Sequence, residues 1–348
     1  MSAQIHESIP STPAAPATPR AVLAMAADVA DLVFPSGTRD RLNHLVSLHA
    51  AVADDLSEPA LRGAVTDADL LITGWGCPPL DDALLDAAPR LRAILHAAGS
   101  VKEAGIPASV WQRGIAVSSA AEANVHPVVQ FTIAAVLLAG KRAFGLARTY
   151  AAGGFRSYPS NARTGNRSRV VGVVGASRIG RAVITELCRQ GFSVLVADPY
   201  LTAAGADRLG ARLAGLDHLV STADVVTLHA PELPETRGMI DDRRLALMRD
   251  GAVLINTARG PLVDSDALAR HCAAGRIDAV LDVTSPEPLP AGHPLFALPN
   301  VFITPHIAGA LGDEIGALGD FVVEEAARWL RGEPLRGLVT AADLARMA

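Results

Sequence analysis

The chain has 348 residues, of which 50% are hydrophobic and 19% are charged, so it can bury the cores of about two domains. Its formal net charge of -5 excludes a strongly basic surface, and nucleic acid is therefore not expected as a partner. The three cysteines are widely separated and form no Cys-x-x-Cys pair. This spacing predicts neither a metal site nor a disulfide framework, and it favours the reducing cytoplasm.

Residues 1–19 are rich in Pro, Ala, Ser and Thr without an apolar period, so we expect a flexible tail there. This segment has no basic region followed by an apolar one, which is the pattern of a secretory signal. The longest apolar stretch, 127–140, is interrupted by Gln130 and Thr132 and is short for a bilayer. We therefore expect a soluble cytoplasmic protein without a membrane partner.

From Ala21 onwards, short apolar runs alternate with helical patterns, which is the order of elements in a parallel α/β sheet. A long apolar helix is predicted over 126–150, followed by a turn-rich connection over 153–168. The predicted strands are 21–25, 70–73, 91–96 and 115–118 in a first lobe, and 170–174, 194–197, 225–229, 253–257, 279–283 and 301–304 in a second. The pattern thus predicts two doubly wound parallel-sheet lobes with a cleft between them. One more helix, about 313–331, lies beyond the second series and is expected to pack back on the first lobe.

The first strand of the second lobe runs into a glycine turn and then a helix. Gly175 permits a tight turn, Gly180 lets the helix approach the strand, and the helix N-terminus offers N–H groups to a pyrophosphate. Ser177 occupies the position of the middle glycine in the G-x-G-x-x-G pattern, where its Cβ narrows the approach but its hydroxyl can donate to a phosphate. The pattern predicts a dinucleotide site, with a plain strand-to-helix turn as the alternative.

Asp198 ends the next strand, where a carboxylate accepts hydrogen bonds from the ribose hydroxyls of an adenosine. No Arg or Lys follows it before Arg208, so a 2′-phosphate would meet an acid and no cation. The sequence therefore favours NAD over NADP. An Asp-Pro turn is the alternative interpretation of Asp198.

Three short motifs follow the last three strands of the second lobe: Asn-Thr-Ala-Arg-Gly over 256–260, Leu-Asp-Val-Thr-Ser-Pro-Glu-Pro over 281–288 and Thr-Pro-His-Ile-Ala-Gly over 304–309. In order and placement they resemble the D-isomer-specific 2-hydroxyacid dehydrogenases, a family that includes glycerate, D-lactate and phosphoglycerate dehydrogenases. The resemblance covers nearly all of the chain from Ala21 to about Pro334.

This resemblance implies a Rossmann NAD-binding domain inserted into a flavodoxin-like catalytic domain. Residues 126–307, including an interdomain helix, would form the NAD-binding domain, and residues 20–125 plus 308–348 would form the catalytic domain. It also implies a homodimer. The predicted helix over 126–150 is apolar around most of its circumference, so it is expected to contribute to the interface.

The resemblance assigns the chemistry to three side chains at the carboxyl ends of strands. Arg259 matches the arginine whose planar fork can hold oxygens of a 2-keto acid. His306 matches the general acid, and Glu287 matches the glutamate that orients the imidazole and favours its protonated form. Taken singly, each has a plain alternative: a surface turn, an exposed acid in a proline-rich loop and a structural histidine.

The resemblance also assigns contacts by matching position. Cofactor contacts fall on Gly175, Ser177, Arg178, Ile179, Asp198, Ala230, Pro231, Thr236, Thr257, Ala258 and Asp282. Asp282 would hold the nicotinamide carboxamide, with a plain strand-end acid as the alternative. The segment 96–101 resembles the family's substrate loop, whose backbone N–H groups bind the substrate carboxylate, so Gly99 and Ser100 join Arg259 as candidate substrate-binding residues.

The first lobe departs from the family pattern, since Gln130 stands where an acid is usual and 102–104 lacks the usual Asp-Asn. The segments expected at the cleft, 73–78 and 97–101, contain no Arg or Lys, whereas Trp75 offers an apolar wall. The sequence therefore favours an NAD(H)-dependent reductase of a small unphosphorylated 2-keto acid, similar to glyoxylate or hydroxypyruvate reductases. Two alternatives stay open: a phosphoglycerate dehydrogenase-like enzyme and an NAD(H)-sensing protein similar to a corepressor.

Overall fold

The structure is a computed structural model that describes residues 18–49, 59–102, 104–154, 164–345 and 347. The tail predicted over 1–19 lies almost entirely outside the described residues. The turn-rich connection predicted over 153–168 is described only at its two ends.

The first lobe is built on a five-stranded parallel sheet. Its elements are β1 (Arg20–Ala24), α1 (Ala27–Val33), α2 (Ser36–Leu45), β2 (Ser47–His49), α3 (Pro59–Thr66), β3 (Leu70–Thr73), α4 (Asp82–Ala87), β4 (Ala93–His96), α5 (Ser109–Gln112) and β5 (Ala116–Ser119). The strand order β2-β1-β3-β4-β5 is that of the flavodoxin-like fold. The four predicted strands are all present. The fifth strand, β2, was missed because it is short and largely exposed at the sheet edge.

The second lobe is built on a seven-stranded parallel sheet. Two helices precede it, α6 (Val125–Gly140) and α7 (Ala143–Ala151), and its own elements are β6 (Val170–Val174), α8 (Arg178–Arg189), β7 (Ser193–Ala197), α9 (Ala203–Arg208), β8 (Arg212–Leu213), α10 (Leu216–Thr222), β9 (Val225–Leu228), α11 (Asp242–Leu247), β10 (Ala252–Asn256), α12 (Ser265–Ala273), β11 (Ile277–Leu281), α13 (Pro294–Ala297) and β12 (Val301–Ile303). The order is β12-β11-β10-β9-β6-β7-β8. When β6 is counted as strand 1 and the sheet is followed across from β8, this is the Rossmann order 3-2-1-4-5-6 with one further strand, β12. The predicted six strands were one too few, because the two-residue β8 leaves no readable pattern.

The helix predicted over 126–150 is divided into α6 and α7. Arg142 adopts a left-handed conformation with φ of 53°, which ends the regular helical path. The last carbonyls of α6 find partners elsewhere, since Gly165 N donates to Gly140 O at 2.6 Å and Asn166 Nδ2 donates to Leu137 O at 3.1 Å. The prediction of one continuous helix was therefore wrong at this junction.

The helical stretch Ala120–Gly140 has the length and apolar composition of a membrane-crossing segment, and 39% of its most apolar window is buried. It is longer than the apolar run noted in the sequence because helical turns begin before α6. Core helices of globular proteins can have the same length and apolar composition. α6 packs against α8, β9 and β10, as a core helix does.

The last helix, α14 (Gly316–Leu330), packs against α1 and α2 of the first lobe, as expected from its place in the chain. Its buried residues Phe321, Val322 and Ala326 join the apolar core on one face of the five-stranded sheet. The chain then runs antiparallel beside β5: Ser119 N donates to Gly337 O at 2.9 Å, and Val339 N donates to Val117 O at 2.8 Å.

This C-terminal segment is held by a buried carboxylate on α14. Glu325 is 1% exposed, and its oxygens accept hydrogen bonds from the backbone N–H groups of Arg336 and Gly337 and from the hydroxyl of Ser118. A buried carboxylate needs such donors to offset its lost hydration. The segment is therefore a fixed part of the first lobe.

Candidate active site

The three motifs lie on neighbouring loops at the carboxyl end of the seven-stranded sheet, and these loops contact one another. A Cβ at Gly260 would collide with the carbonyl of Thr284, so only glycine lets the Arg259 turn lie against the next loop. Ser265 Oγ donates to Ser285 O at 2.9 Å and joins the same two loops. Arg259 is half-buried, and its Nη1 donates to Ala258 O at 2.7 Å.

His306 and Glu287 are directly paired. His306 Nδ1 lies 2.7 Å from Glu287 Oε1, and their side chains are 48% and 41% exposed. Since Nδ1 faces the carboxylate, Nε2 is the ring nitrogen left for a ligand. The geometry therefore holds an imidazole with one nitrogen bound and the other accessible.

The His306 loop is anchored by Asp282, whose carboxylate is 2% exposed. Oδ1 accepts hydrogen bonds from Thr304 Oγ1 at 2.7 Å and from Ile307 N at 2.8 Å, and Oδ2 accepts one from Ala308 N at 2.9 Å. His306 itself adopts a left-handed φ of 55°, a conformation that L-residues rarely keep without support. Asp282 thus shapes the histidine loop, which the sequence did not indicate, while its contact with a nicotinamide carboxamide stays a prediction.

The glycine turn fits a pyrophosphate. Gly175 has a φ of 95°, and a Cβ there would collide with the backbone of Ala230. A Cβ at Gly180 would collide with the carbonyl of Gly175, so α8 begins directly on the turn. Ser177 Oγ accepts a hydrogen bond from Gly180 N at 3.2 Å and caps the helix, which leaves the hydroxyl proton for another acceptor. Arg178 and Ile179 occupy the first turn of α8, where helix N–H groups favour an anion.

Asp198 connects the end of β7 to this turn. Its Oδ2 accepts a hydrogen bond from Ala176 N at 2.7 Å, and its Oδ1 accepts one from Tyr200 N at 2.8 Å. The carboxylate therefore stabilises its own turn and also stands beside the phosphate-binding turn. Contact with ribose hydroxyls stays a prediction that this position favours.

The other predicted cofactor residues lie on loops of the same sheet edge. Thr236 Oγ1 donates to Pro231 O at 2.7 Å and accepts a hydrogen bond from Leu233 N at 2.8 Å, so its hydroxyl closes the loop after β9. Thr257 Oγ1 lies 2.9 Å from Thr132 Oγ1 of α6. These hydroxyls hold the local structure of the loops that carry them.

Asn124, which precedes α6, links the two lobes at the cleft and was missed in the sequence. Its Oδ1 accepts a hydrogen bond from Ala310 N at 2.8 Å. A Cβ at Gly99 would lie 3.7 Å from Asn124 Nδ2, and a Cβ at Gly309 would lie 3.1 Å from Asn124 Oδ1. One side chain thus lies between the candidate substrate loop and the His306 loop. The only signal for it was its place immediately before the long helix.

Comparisons with known proteins agree with this geometry. The family model for the NAD-binding domain of D-isomer specific 2-hydroxyacid dehydrogenases matches residues 133–308. The chain is 34% identical over 274 residues to a D-3-phosphoglycerate dehydrogenase of Mycobacterium leprae, which covers 78% of this chain and 51% of that protein. It therefore spans about half the length of this relative.

Two further relatives are covered more completely. A glyoxylate/hydroxypyruvate reductase B of Yersinia enterocolitica is 34% identical over 259 residues, 73% of this chain and 78% of that protein. The crystal structure of a protein from Thermus thermophilus has a TM-score of 0.71 and 32% identity, covering 92% of this chain and 100% of that one. The chain belongs to the D-isomer specific 2-hydroxyacid dehydrogenase family, with residues 133–308 as its NAD-binding domain.

Proposed function

We propose that the protein is an NAD(H)-dependent oxidoreductase that interconverts a small 2-keto acid and the D-2-hydroxy acid. The observation that carries this proposal is the His306–Glu287 pair, held on the Asp282 anchor beside the Arg259 turn. A nicotinamide bound there would supply or accept the hydride. The glycine turn, the capped start of α8 and Asp198 are the residues that would hold this cofactor.

The protein's own side chains divide the remaining work. Arg259 binds carboxylate and carbonyl oxygens of the substrate through its planar guanidinium. His306 exchanges a proton with the substrate oxygen at Nε2, because Nδ1 is bound to Glu287. Glu287 orients the ring through its contact with Nδ1. The D configuration follows from family membership and is part of the proposal.

An unphosphorylated substrate fits the first lobe best. Among the described residues, the basic side chain that directly follows segment 97–101 is engaged elsewhere, because Lys102 Nζ donates to Met347 O at 2.8 Å. Trp75 is 39% exposed after β3 and offers an apolar surface instead. The glyoxylate/hydroxypyruvate reductase relative supports the same choice.

A phosphoglycerate dehydrogenase-like activity is the second candidate, because the Mycobacterium relative carries that name. The test measures NADH oxidation with hydroxypyruvate, glyoxylate, 2-ketobutyrate and 3-phosphohydroxypyruvate as substrates. We expect the highest kcat/KM with an unphosphorylated acid. A clear preference for the phosphorylated acid would replace the first candidate by the second. NADH binding without turnover of any 2-keto acid would instead favour a sensing protein.

We further infer that two copies form a homodimer through α6 and α7. α7 has no buried residue, and its Leu146 and Tyr150 are 38% and 71% exposed. Leu138 of α6 is 45% exposed. An apolar surface of this kind favours a partner. Sedimentation velocity is expected to show a dimer at micromolar concentration that Tyr150→Glu weakens, and a wild-type monomer would contradict the inference.

We also propose a cytoplasmic location, with neither nucleic acid nor a membrane as partner. The three cysteines are free, and burial raises the pKa of the Cys77 and Cys272 thiols to about 12, which keeps them protonated and unreactive. Free thiols are typical of a reducing compartment. Fractionation of cells should recover the protein with soluble cytoplasmic markers, and recovery with membranes would contradict this proposal.

A further inference from the structure

Three adjacent strands of the first lobe end in a buried polar residue. Thr73, His96 and Ser119 are the last residues of β3, β4 and β5, and they are register partners across the sheet. Their exposed fractions are 0%, 3% and 2%. Side chains alternate between the faces of a strand, so the three share one face with the core residues two positions earlier, Leu71, Ile94 and Val117. We call these three residues the polar row.

The polar row contacts the candidate substrate loop, residues 97–101, from below. Ser119 Oγ lies 3.0 Å from Ala98 O and 2.7 Å from Gly99 O. The His96 ring also hydrogen-bonds the backbone of Ser100. Two successive carbonyls of the loop, those of Ala98 and Gly99, therefore point to the polar row.

The partners of His96 suit a neutral ring. Burial lowers the pKa of His96 to about 4, so the imidazole is uncharged near neutral pH. A neutral imidazole has one donor and one acceptor. It can hydrogen-bond the Ser100 backbone while Nδ1, 2.9 Å from Thr73 Oγ1, accepts from that hydroxyl. The row thus satisfies its own polar groups and the loop carbonyls without a buried charge.

The orientation of the carbonyls determines that of the N–H groups. In a trans peptide the C=O of one residue and the N–H of the next point in opposite directions, and the described cis bonds all lie elsewhere, in 285–288. Because the carbonyls of Ala98 and Gly99 face the sheet, the N–H groups of Gly99 and Ser100 face away from it. Successive N–H groups on one side of a loop form a concave site for an anion.

We propose that Thr73, His96 and Ser119 are positioning residues that hold the N–H groups of Gly99 and Ser100 toward the substrate carboxylate. The identity of the carboxylate, that of a 2-keto acid, rests on the proposed function. The row itself does not touch the substrate. It acts by preventing the loop peptides from rotating, so the binding site is formed before the ligand arrives.

The test compares Ser119→Ala with Ser118→Ala. Both substitutions remove one buried serine hydroxyl from the end of β5, but Ser118 Oγ donates to Glu325 on the opposite face of the sheet. Loss of a buried hydrogen bond is expected to lower the thermal stability of both variants. Only Ser119→Ala should raise the KM for the 2-keto acid, by about tenfold, with kcat and the Kd for NADH nearly unchanged. Equal KM values in the two variants would overturn the proposal.

His96 provides a second comparison. His96→Leu removes both ring partners and is expected to raise KM at least as much as Ser119→Ala. The amide of His96→Gln can hydrogen-bond the Ser100 backbone, so this variant should recover most of the lost affinity. A KM that is as high in His96→Gln as in His96→Leu would count against the hydrogen bond and favour ring volume alone.

Crystal structures of Ser119→Ala and Ser118→Ala without substrate give a readout that needs no turnover. The peptides at 98–101 should lose their single orientation in Ser119→Ala and keep it in Ser118→Ala. If the wild type reduces no 2-keto acid, the proposed function fails, but this structural difference still decides the role of the polar row. A loop that is unchanged in both variants would overturn the positioning role.

Discussion

The carboxyl ends of the two sheets meet at the cleft but present opposite kinds of side chain. On the seven-stranded sheet, the paired His306 and Glu287 are 48% and 41% exposed, and each can carry a charge. On the five-stranded sheet, the polar row of Thr73, His96 and Ser119 is buried and uncharged. A charge is costly to bury, whereas a neutral hydrogen-bonded group is not. The difference indicates that proton transfer depends on the exposed end and carboxylate recognition on backbone dipoles held by the buried end.

The largest expected effect lies at the charged end. His306→Ala should lower kcat by about 10²- to 10⁴-fold, the usual contribution of a general acid, because the substitution removes the proton-donating nitrogen. NADH affinity, measured by fluorescence titration, should be retained. The exposed His218→Ala on α10 is the matched control and should keep full activity. Normal turnover by a folded His306→Ala variant would contradict the assignment of proton transfer to the exposed pair on the seven-stranded sheet.

Asp282→Asn distinguishes two roles of Asp282: the observed anchoring of the His306 loop and the predicted contact with the nicotinamide. The amide would bring an N–H group against the backbone N–H of either Ile307 or Ala308, so the left-handed loop should lose part of its support. We expect kcat to fall by about tenfold or more, as a misplaced general acid would cause. NADH affinity should change little. A weaker Kd for NADH with kcat unchanged would assign Asp282 to the nicotinamide instead.

The preference for NADH over NADPH tests the role of the Asp198 carboxylate at the end of β7. The Asp198 carboxylate lies beside the phosphate-binding turn, so a 2′-phosphate would meet a like charge there. We expect kcat/KM to be about tenfold higher or more with NADH than with NADPH. Asp198→Ala should narrow this ratio. Equal efficiency with the two cofactors in the wild type would show that the charge does not select between them.

The smallest expected effect concerns the stability of the protein in mild acid, which depends on the buried neutral histidines His96 and His229. Burial lowers the pKa of His96 to about 4 and that of His229 to about 3, below the 6.5 of a free imidazole. Between these values the unfolded chain binds protons that the folded chain does not. Stability is therefore full above pH 6.5 and is lost as the pH falls toward 4, by about 1.4 kcal/mol per pH unit for each group.

Urea unfolding at several pH values between 7 and 5 measures this slope. His96→Gln has no titrating ring, so its stability should decline less steeply than that of the wild type by the contribution of one group. Identical slopes would show that His96 is not a buried neutral histidine.

The sequence predicted most of the fold because buried parallel strands are continuous apolar runs, such as β6 and β10. It missed β2 and β8, which are edge strands of three and two residues and too short for a pattern. It also missed the junction of α6 and α7. The apolar pattern continues past Gly140, and the break depends on contacts with residues far along the chain.

The sequence predicted those residues of the candidate site that belong to recognisable motifs. His306 and Glu287 could be named because both follow strands whose carboxyl ends share one sheet edge. The Asp282 anchor, the position of Asn124 between two loops, and the polar row could not be derived. Each depends on strand register or on the approach of the two lobes, and these arise from tertiary packing.

The segment that runs antiparallel beside β5 covers one edge of the five-stranded sheet. An uncovered edge strand offers unpaired N–H and C=O groups to other chains and promotes aggregation. Here Gly337 and Val339 occupy those groups, and Glu325 fastens them from α14. Removal of residues from Arg336 onwards would open the edge of the smaller sheet, with self-association as the expected outcome. Any fusion partner added at the C-terminus should therefore follow this pairing and leave it intact.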